Sequence, residues 1–149
     1  QPQEIAAENG YAQVCFLDGE TNTYIDELGG MNVFVVYRDG KVATPQLTGC
    51  ILEGGTRGAI IQVLADEGIT VSEERIALHQ LLDDIRSGKV AEFLACGTAA
   101  VVTPIGKLGG KDFELEVPTG PMTKHIHDVI TGIQWGRRED PHGWCYRVL

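Results

Sequence analysis

The sequence predicts an α+β domain. Strand-like and helix-like segments are interspersed without the regular strand–helix alternation of a doubly wound sheet. Met31 to Tyr37 is apolar nearly throughout, as in a central strand covered on both faces, whereas Thr56 to Glu67 and Thr119 to Trp135 carry apolar residues at helical spacing. At 149 residues the chain is long enough to bury a core, and it contains no internal repeat, linker or low-complexity segment.

Each element has a local reason. Ile5 to Gly10 reads as the last turns of a helix that began upstream, with Gly10 as its stop, so the chain is expected to be a piece of a longer protein. Ala12 to Leu17 is rich in β-formers, Asp18 and Gly19 make a turn, and Thr23 to Glu27 returns as a strand. Asp39 and Gly40 fold the central strand back onto Lys41 to Thr44. The helix from Thr56 turns Ile60, Ile61, Val63 and Leu64 inward and stops at Gly68. Ile69 to Ile76 alternates as a strand, and Leu78 to Ser87 is a short helix ended by Gly88. Val90 to Ala95 and Ala99 to Thr103 are strands around a corner at Gly97 and Thr98, followed by an exposed hairpin from Lys107 to Val117. In the last helix Thr119 is the expected cap, Pro121 lies in the first turn, and Ile126, Val129, Ile130 and Ile133 face inward.

Composition excludes several classes of function. A net charge of −9 argues against nucleic-acid binding, which needs a basic face. No apolar stretch approaches the ~20 residues of a membrane span, and no signal peptide is expected. Cys15, Cys50, Cys96 and Cys145 are far apart, without a CxxC pair, so neither a zinc ribbon nor a disulfide scaffold is suggested. They read as reduced, mostly buried thiols of a cytoplasmic protein. His125 and His127 point in different directions on a helix and do not share one ion, so no metal site is expected.

Three segments carry the chemistry: Glu27 to Asn32 (ELGGMN), Leu52 to Arg57 (LEGGTR) and Cys96 to Ala100 (CGTAA). The second is a glycine pair, a hydroxyl and a helix start, and a helix start presents free N–H groups to an anion. The third ends a strand in glycine, then threonine, then small residues that let backbone approach a ligand. The first sets a carboxylate beside another glycine pair. Two anion cradles and one acid suggest a phosphorylated cofactor with a basic atom at its far end.

In order and spacing these segments resemble the large C-terminal domain of the branched-chain amino acid aminotransferases, pyridoxal-phosphate (PLP) enzymes of the class IV family and fold type IV. Thr44-Pro45, Thr103-Pro104, the tail from Gly132 to Gly136 and Gly143-Trp144 extend the resemblance from about Ala7 to the end. The resemblance implies a D-amino acid aminotransferase-like fold, with residues 1–149 as one cofactor-binding domain and the small N-terminal domain outside this chain. It implies transamination of Leu, Ile or Val with 2-oxoglutarate by a homodimeric parent enzyme.

The resemblance also assigns roles. Composition alone reads Glu27 as a surface acid at a strand end; the resemblance makes it the partner of the protonated pyridine nitrogen of PLP. Gly55 and Thr56 are otherwise a turn and a cap; by resemblance their N–H groups meet the cofactor phosphate. Leu52, otherwise core, packs on the pyridine ring. Thr98, otherwise a turn residue, brings its hydroxyl to the phosphate and lines the substrate side, where the Ala99 amide meets the substrate carboxylate. Gly30 and Met31 line the same side, Met being apolar and adaptable. Arg57 is either a phosphate-region charge or the structural pair of a nearby acid, the latter being favoured.

Some positions depart from the family. Glu53 stands where proline is common and Gly55 where isoleucine or valine is common. The redox CxxC of some members is absent, its positions being Ala100 and Thr103. The Schiff-base lysine does not align with Lys41, Lys89, Lys107, Lys111 or Lys124, so this chain alone is expected to be inactive. Sibling readings are a D-amino acid aminotransferase or an aminodeoxychorismate lyase. A reading from another class is a non-catalytic fragment that binds at most an anion.

Overall fold

Central to the fold is strand β3 (Asn32–Tyr37), whose successive side chains point to opposite faces of the sheet and are buried on both. A computed structural model describes residues 1–148. In it β3 lies in the middle of a five-stranded mixed sheet of order β5-β4-β3-β6-β7, formed with β4 (Val42–Pro45), β5 (Val71–Glu74), β6 (Val90–Gly97) and β7 (Val101–Pro104). All neighbours are antiparallel except β4 and β5, which are parallel and joined through helix α2 (Gly55–Asp66).

The two faces of β3 build two cores. Phe34 and Val36, with Leu94 and Cys96 of β6, face α2 and the long helix α4 (Pro121–Gln134). Ile60, Val63 and Leu64 of α2 meet Ile126, Val129, Ile130 and Ile133 of α4 there, the inward stripe expected from helical spacing. Val33 and Val35, with Phe93 and Ala95, face the other way. That core is closed by helix α3 (Leu78–Arg86), by the hairpin of β1 (Cys15–Leu17) and β2 (Ile25–Leu28), and by the hairpin of β8 (Lys107–Gly109) and β9 (Glu114–Glu116). A short helix α1 (Pro2–Glu8) precedes them. No helix is long and apolar enough to cross a membrane among the described residues.

Three local expectations are corrected. The first strand begins at Cys15 rather than Ala12, because its partner β2 ends at Leu28, opposite Cys15, where the chain turns through Gly29 and Gly30. Helix α4 is not capped by Thr119: its N-cap is Gly120, without a side-chain cap bond. Glu92 of β6 reaches the helix start from the adjacent sheet, its Oε2 accepting from Met122 N at 3.0 Å and its Oε1 from Thr123 N at 2.8 Å. The thiols are not mostly buried: Cys96 is buried and Cys15 partly so, but Cys50 and Cys145 are exposed. All four are free. Burial pushes the Cys96 thiol up to about 12, against the pull of the Arg57 charge, and the Cys15 thiol up to about 11.

Candidate functional site

The sheet delivers two of the three segments to one place. Strand β6 ends at Gly97, and Thr98, Ala99 and Ala100 form the exposed turn into β7. Helix α2 begins at Gly55 on the neighbouring element. Gly55, Thr56 and Thr98 line one end of a cavity of about 860 Å³ that continues between α2 and α4 toward His142, Trp144 and Cys145 of the C-terminal segment.

The α2 start is open. The N-cap Gly54 offers no side chain, and no acidic residue stands in the first turn. Among the described residues none accepts a hydrogen bond from the N–H groups of Gly55, Thr56 or Arg57. Their aligned dipoles amount to roughly half a positive charge facing the site. Arg57 does not line this cavity: it is only 4% exposed and donates through Nη2 to Glu73 Oε1 at 2.7 Å and to the Pro45 carbonyl at 3.2 Å. The structural role favoured for it is the one observed.

The turn leading into α2 is tied to the sheet by Asn32, whose Nδ2 donates to the Leu52 carbonyl at 3.0 Å. Gly54 adopts φ +69, and a Cβ there would overlap Asn32 Oδ1, so only glycine lets the turn close this tightly. Leu52 itself is 73% exposed, which removes the plain core reading and leaves an apolar face available to a ligand.

The first segment is built on β2 and the bend into β3. Glu27 stands opposite Phe16 in the β1–β2 ladder and is half-buried. Its carboxylate has no ion-pair or hydrogen-bond partner among the described residues. Gly30 is exposed. Met31 packs toward Gly97, where a Cβ would stand 3.1 Å from Met31 Cγ. Met31 also lines a second cavity of about 330 Å³ with Cys15, Leu28, Thr103 and Ile105. Thus Gly55, Thr56 and Thr98 converge on one cavity, Met31 opens on another, and Glu27, Leu52 and Ala99 line neither. His125 Nε2 meets Glu67 at 2.6 Å, and no group of three or more His, Cys, Asp or Glu gathers among the described residues.

Four features escaped sequence reasoning. Asn32 was part of a motif without a task. Glu92 is a lone acid inside a buried strand, a pattern that marks a satisfied polar contact. The C-terminal wall of the larger cavity is held by His142 Nε2 at 2.6 Å from Asp66 and by the stack of His142 on Trp144. Finally, Val101, just past the Thr98 turn, has φ +55. A β-branched residue rarely adopts that region, and such strain, about 1–3 kcal/mol, is tolerated where the surroundings over-determine it.

Known proteins share this chain's sequence pattern and fold. The amino-transferase class IV family matches residues 2–108. A probable branched-chain-amino-acid aminotransferase of Streptomyces coelicolor is 42% identical over 149 residues, covering 98% of this chain and 41% of the relative. The solved branched-chain amino acid aminotransferase of Escherichia coli superposes with a TM-score of 0.80 at 34% identity, covering 96% of this chain and 45% of that one. That of Thermobaculum terrenum, solved in its PLP form, superposes with a TM-score of 0.75 at 30% identity, covering 92% of this chain and 42% of that one. The chain therefore spans about two fifths of the length of the relatives it matches. With the family match, the shared fold type IV architecture and the converging glycine-threonine turns, the chain belongs to the class IV aminotransferases.

Proposed function

We propose that residues 1–149 form the C-terminal cofactor domain of a PLP-dependent branched-chain amino acid aminotransferase. The parent enzyme exchanges an amino group between Leu, Ile or Val and 2-oxoglutarate, as a cytoplasmic homodimer. The observation that carries this reading is the convergence of Gly55, Thr56 and Thr98 on one cavity while the α2 N–H groups stay unpaired. The names of the relatives in Streptomyces coelicolor and Escherichia coli support the reaction class.

The residues present fit PLP. The α2 start and the Thr98 corner offer N–H and hydroxyl donors suited to a phosphate and need no side-chain cation. Exposed Leu52 offers an apolar face to the ring. The unpartnered Glu27 carboxylate suits a protonated ring nitrogen. When bound, PLP supplies the electron sink that makes the amino acid α-proton labile. Glu27 holds the proton on the ring nitrogen and so keeps that sink strong. Gly55, Thr56 and Thr98 anchor the phosphate and fix the ring's orientation. Gly30 and Met31 bound the side-chain space, while Thr98 and the Ala99 amide orient the substrate carboxylate. The lysine that would carry the cofactor in this family aligns with none of the lysines of this chain.

Replacing Glu27 with Gln in the parent enzyme tests the reading. The expected result is a kcat at least about tenfold lower, or ~1.4 kcal/mol of transition-state stabilisation, with a shifted cofactor absorbance band. An unchanged kcat and spectrum would remove Glu27 from the site. Faster turnover of D-alanine than of L-leucine by the parent enzyme would move the assignment to the D-amino acid branch.

A further inference from the structure

Asn32 is where the two halves of the cradle meet. Its backbone stands opposite Cys96 in the β3–β6 ladder, two residues before Thr98. Its side chain reaches the other half, with Nδ2 donating to the Leu52 carbonyl at 3.0 Å and Oδ1 pressed against Gly54. Among the described residues this is the one hydrogen bond that ties the stretch from Leu47 to Gly54 to the sheet. Asn32 is 8% exposed, so its amide has little access to water, and an apolar replacement leaves the Leu52 carbonyl without its partner. The contact is shaped from both sides, because Gly54 adopts φ +69 and has no Cβ to hold the turn away.

We propose that Asn32 is a positioning residue for phosphate binding. Its side chain sets the spacing between the α2 start and the Thr98 corner, so that both engage one phosphate. The inference rests on the reading of those two segments as a phosphate cradle. Asn32 lines neither cavity; it acts through the turn it holds. Removing the amide frees the turn, and the donors of Gly55 and Thr56 then lose their fixed distance from Thr98. Preorganised donors bind better than mobile ones because ordering is not charged against the ligand.

The test uses the full-length protein freed of cofactor. Wild type, Asn32→Ala and Gly54→Ala are titrated with PLP and with inorganic phosphate, the 31P resonance of the bound phosphate is recorded, and folding is checked by circular dichroism and thermal melting. Gly54→Ala keeps the amide but drives the turn off it. Both variants are expected to bind PLP about tenfold or more weakly than wild type, to lose phosphate affinity in parallel, and to show a displaced or broadened 31P signal. Should Asn32→Ala not fold, Asn32→Ser and Gly54→Ala carry the measurement. Folded variants that melt earlier yet keep wild-type affinity and 31P shift overturn the proposal, since that is the pattern of a purely structural residue. A wild-type protein that binds neither PLP nor phosphate overturns the cradle reading itself, and this inference with it.

Discussion

Helices α2 and α4 begin in the same way and are finished differently. Each follows a glycine N-cap without a side-chain cap bond, and neither has an acid in its first turn. At α4 the protein supplies the missing acceptor itself. Glu92, 3% exposed, gives one carboxylate oxygen to Met122 N and the other to Thr123 N. At α2 the corresponding N–H groups have no acceptor among the described residues, and the start opens on a cavity that Thr98 also lines. One strand serves both: β6 carries Glu92 near its beginning and passes into the Thr98 turn at its end. A helix start filled by a buried carboxylate is architecture. One left open beside a hydroxyl corner keeps donors free, which is what the proposed phosphate site needs.

The largest expected effect lies at the closed start. Glu92→Ala removes both acceptors and leaves two N–H groups under-satisfied, at a cost of about 2 kcal/mol, with a melting temperature lower by roughly 4–8 °C. Glu92→Gln keeps one acceptor and falls between. Chemical denaturation decides, and a wild-type midpoint in Glu92→Ala would dissolve the contrast between the helices.

Next comes the open start. Phosphate at about ten times its dissociation constant is expected to stabilise the wild-type protein by ~1.4 kcal/mol. Thr56→Ala is expected to weaken that anion by about fivefold, or ~1 kcal/mol, while changing stability in its absence by no more than about 0.5 kcal/mol. A Thr56→Ala protein that loses stability without phosphate and keeps its phosphate affinity would place Thr56 in the same architectural role as Glu92.

The smallest effect concerns the far end of α2, which the protein closes with its own tail. The hydrogen bond from His142, followed by that from Gln62, holds the Asp66 carboxyl below its ordinary value against a desolvation that raises it. A depressed carboxyl contributes stability above its unfolded-state pKa, near 4, and loses it as pH falls through the lower folded value. The tail is therefore expected to loosen below about pH 4, read as a change in Trp144 emission in a Trp135→Phe background. Asp66→Asn should abolish that acid-dependent change. A transition that persists unchanged in Asp66→Asn would assign it to another group.

Much of the fold was legible because periodicity reports burial directly. The unbroken apolar run of β3, the Asp39–Gly40 turn and the inward stripe of α4 all stand where spacing put them. What local pattern missed were contacts between distant residues. Thr119 had the chemistry of a cap, but a carboxylate from β6 took the position. Leu52 looked like core because it is apolar, yet it lies on an exposed turn. Backbone strain fell on Val101, which no propensity scale assigns to φ +55.

By itself the sequence determined the kind of protein this is. The periods of the strands and helices indicated the fold class, and the resemblance of several motifs in order along the chain indicated the family and nominated the candidate residues. Only the tertiary structure decided which helix start is open and which is closed, that Arg57 pairs with Glu73, and that Asn32 bonds to the Leu52 carbonyl. These depend on partners 16, 30 and 20 residues away in sequence, brought within hydrogen-bond reach by the sheet, and no local pattern encodes such a distance.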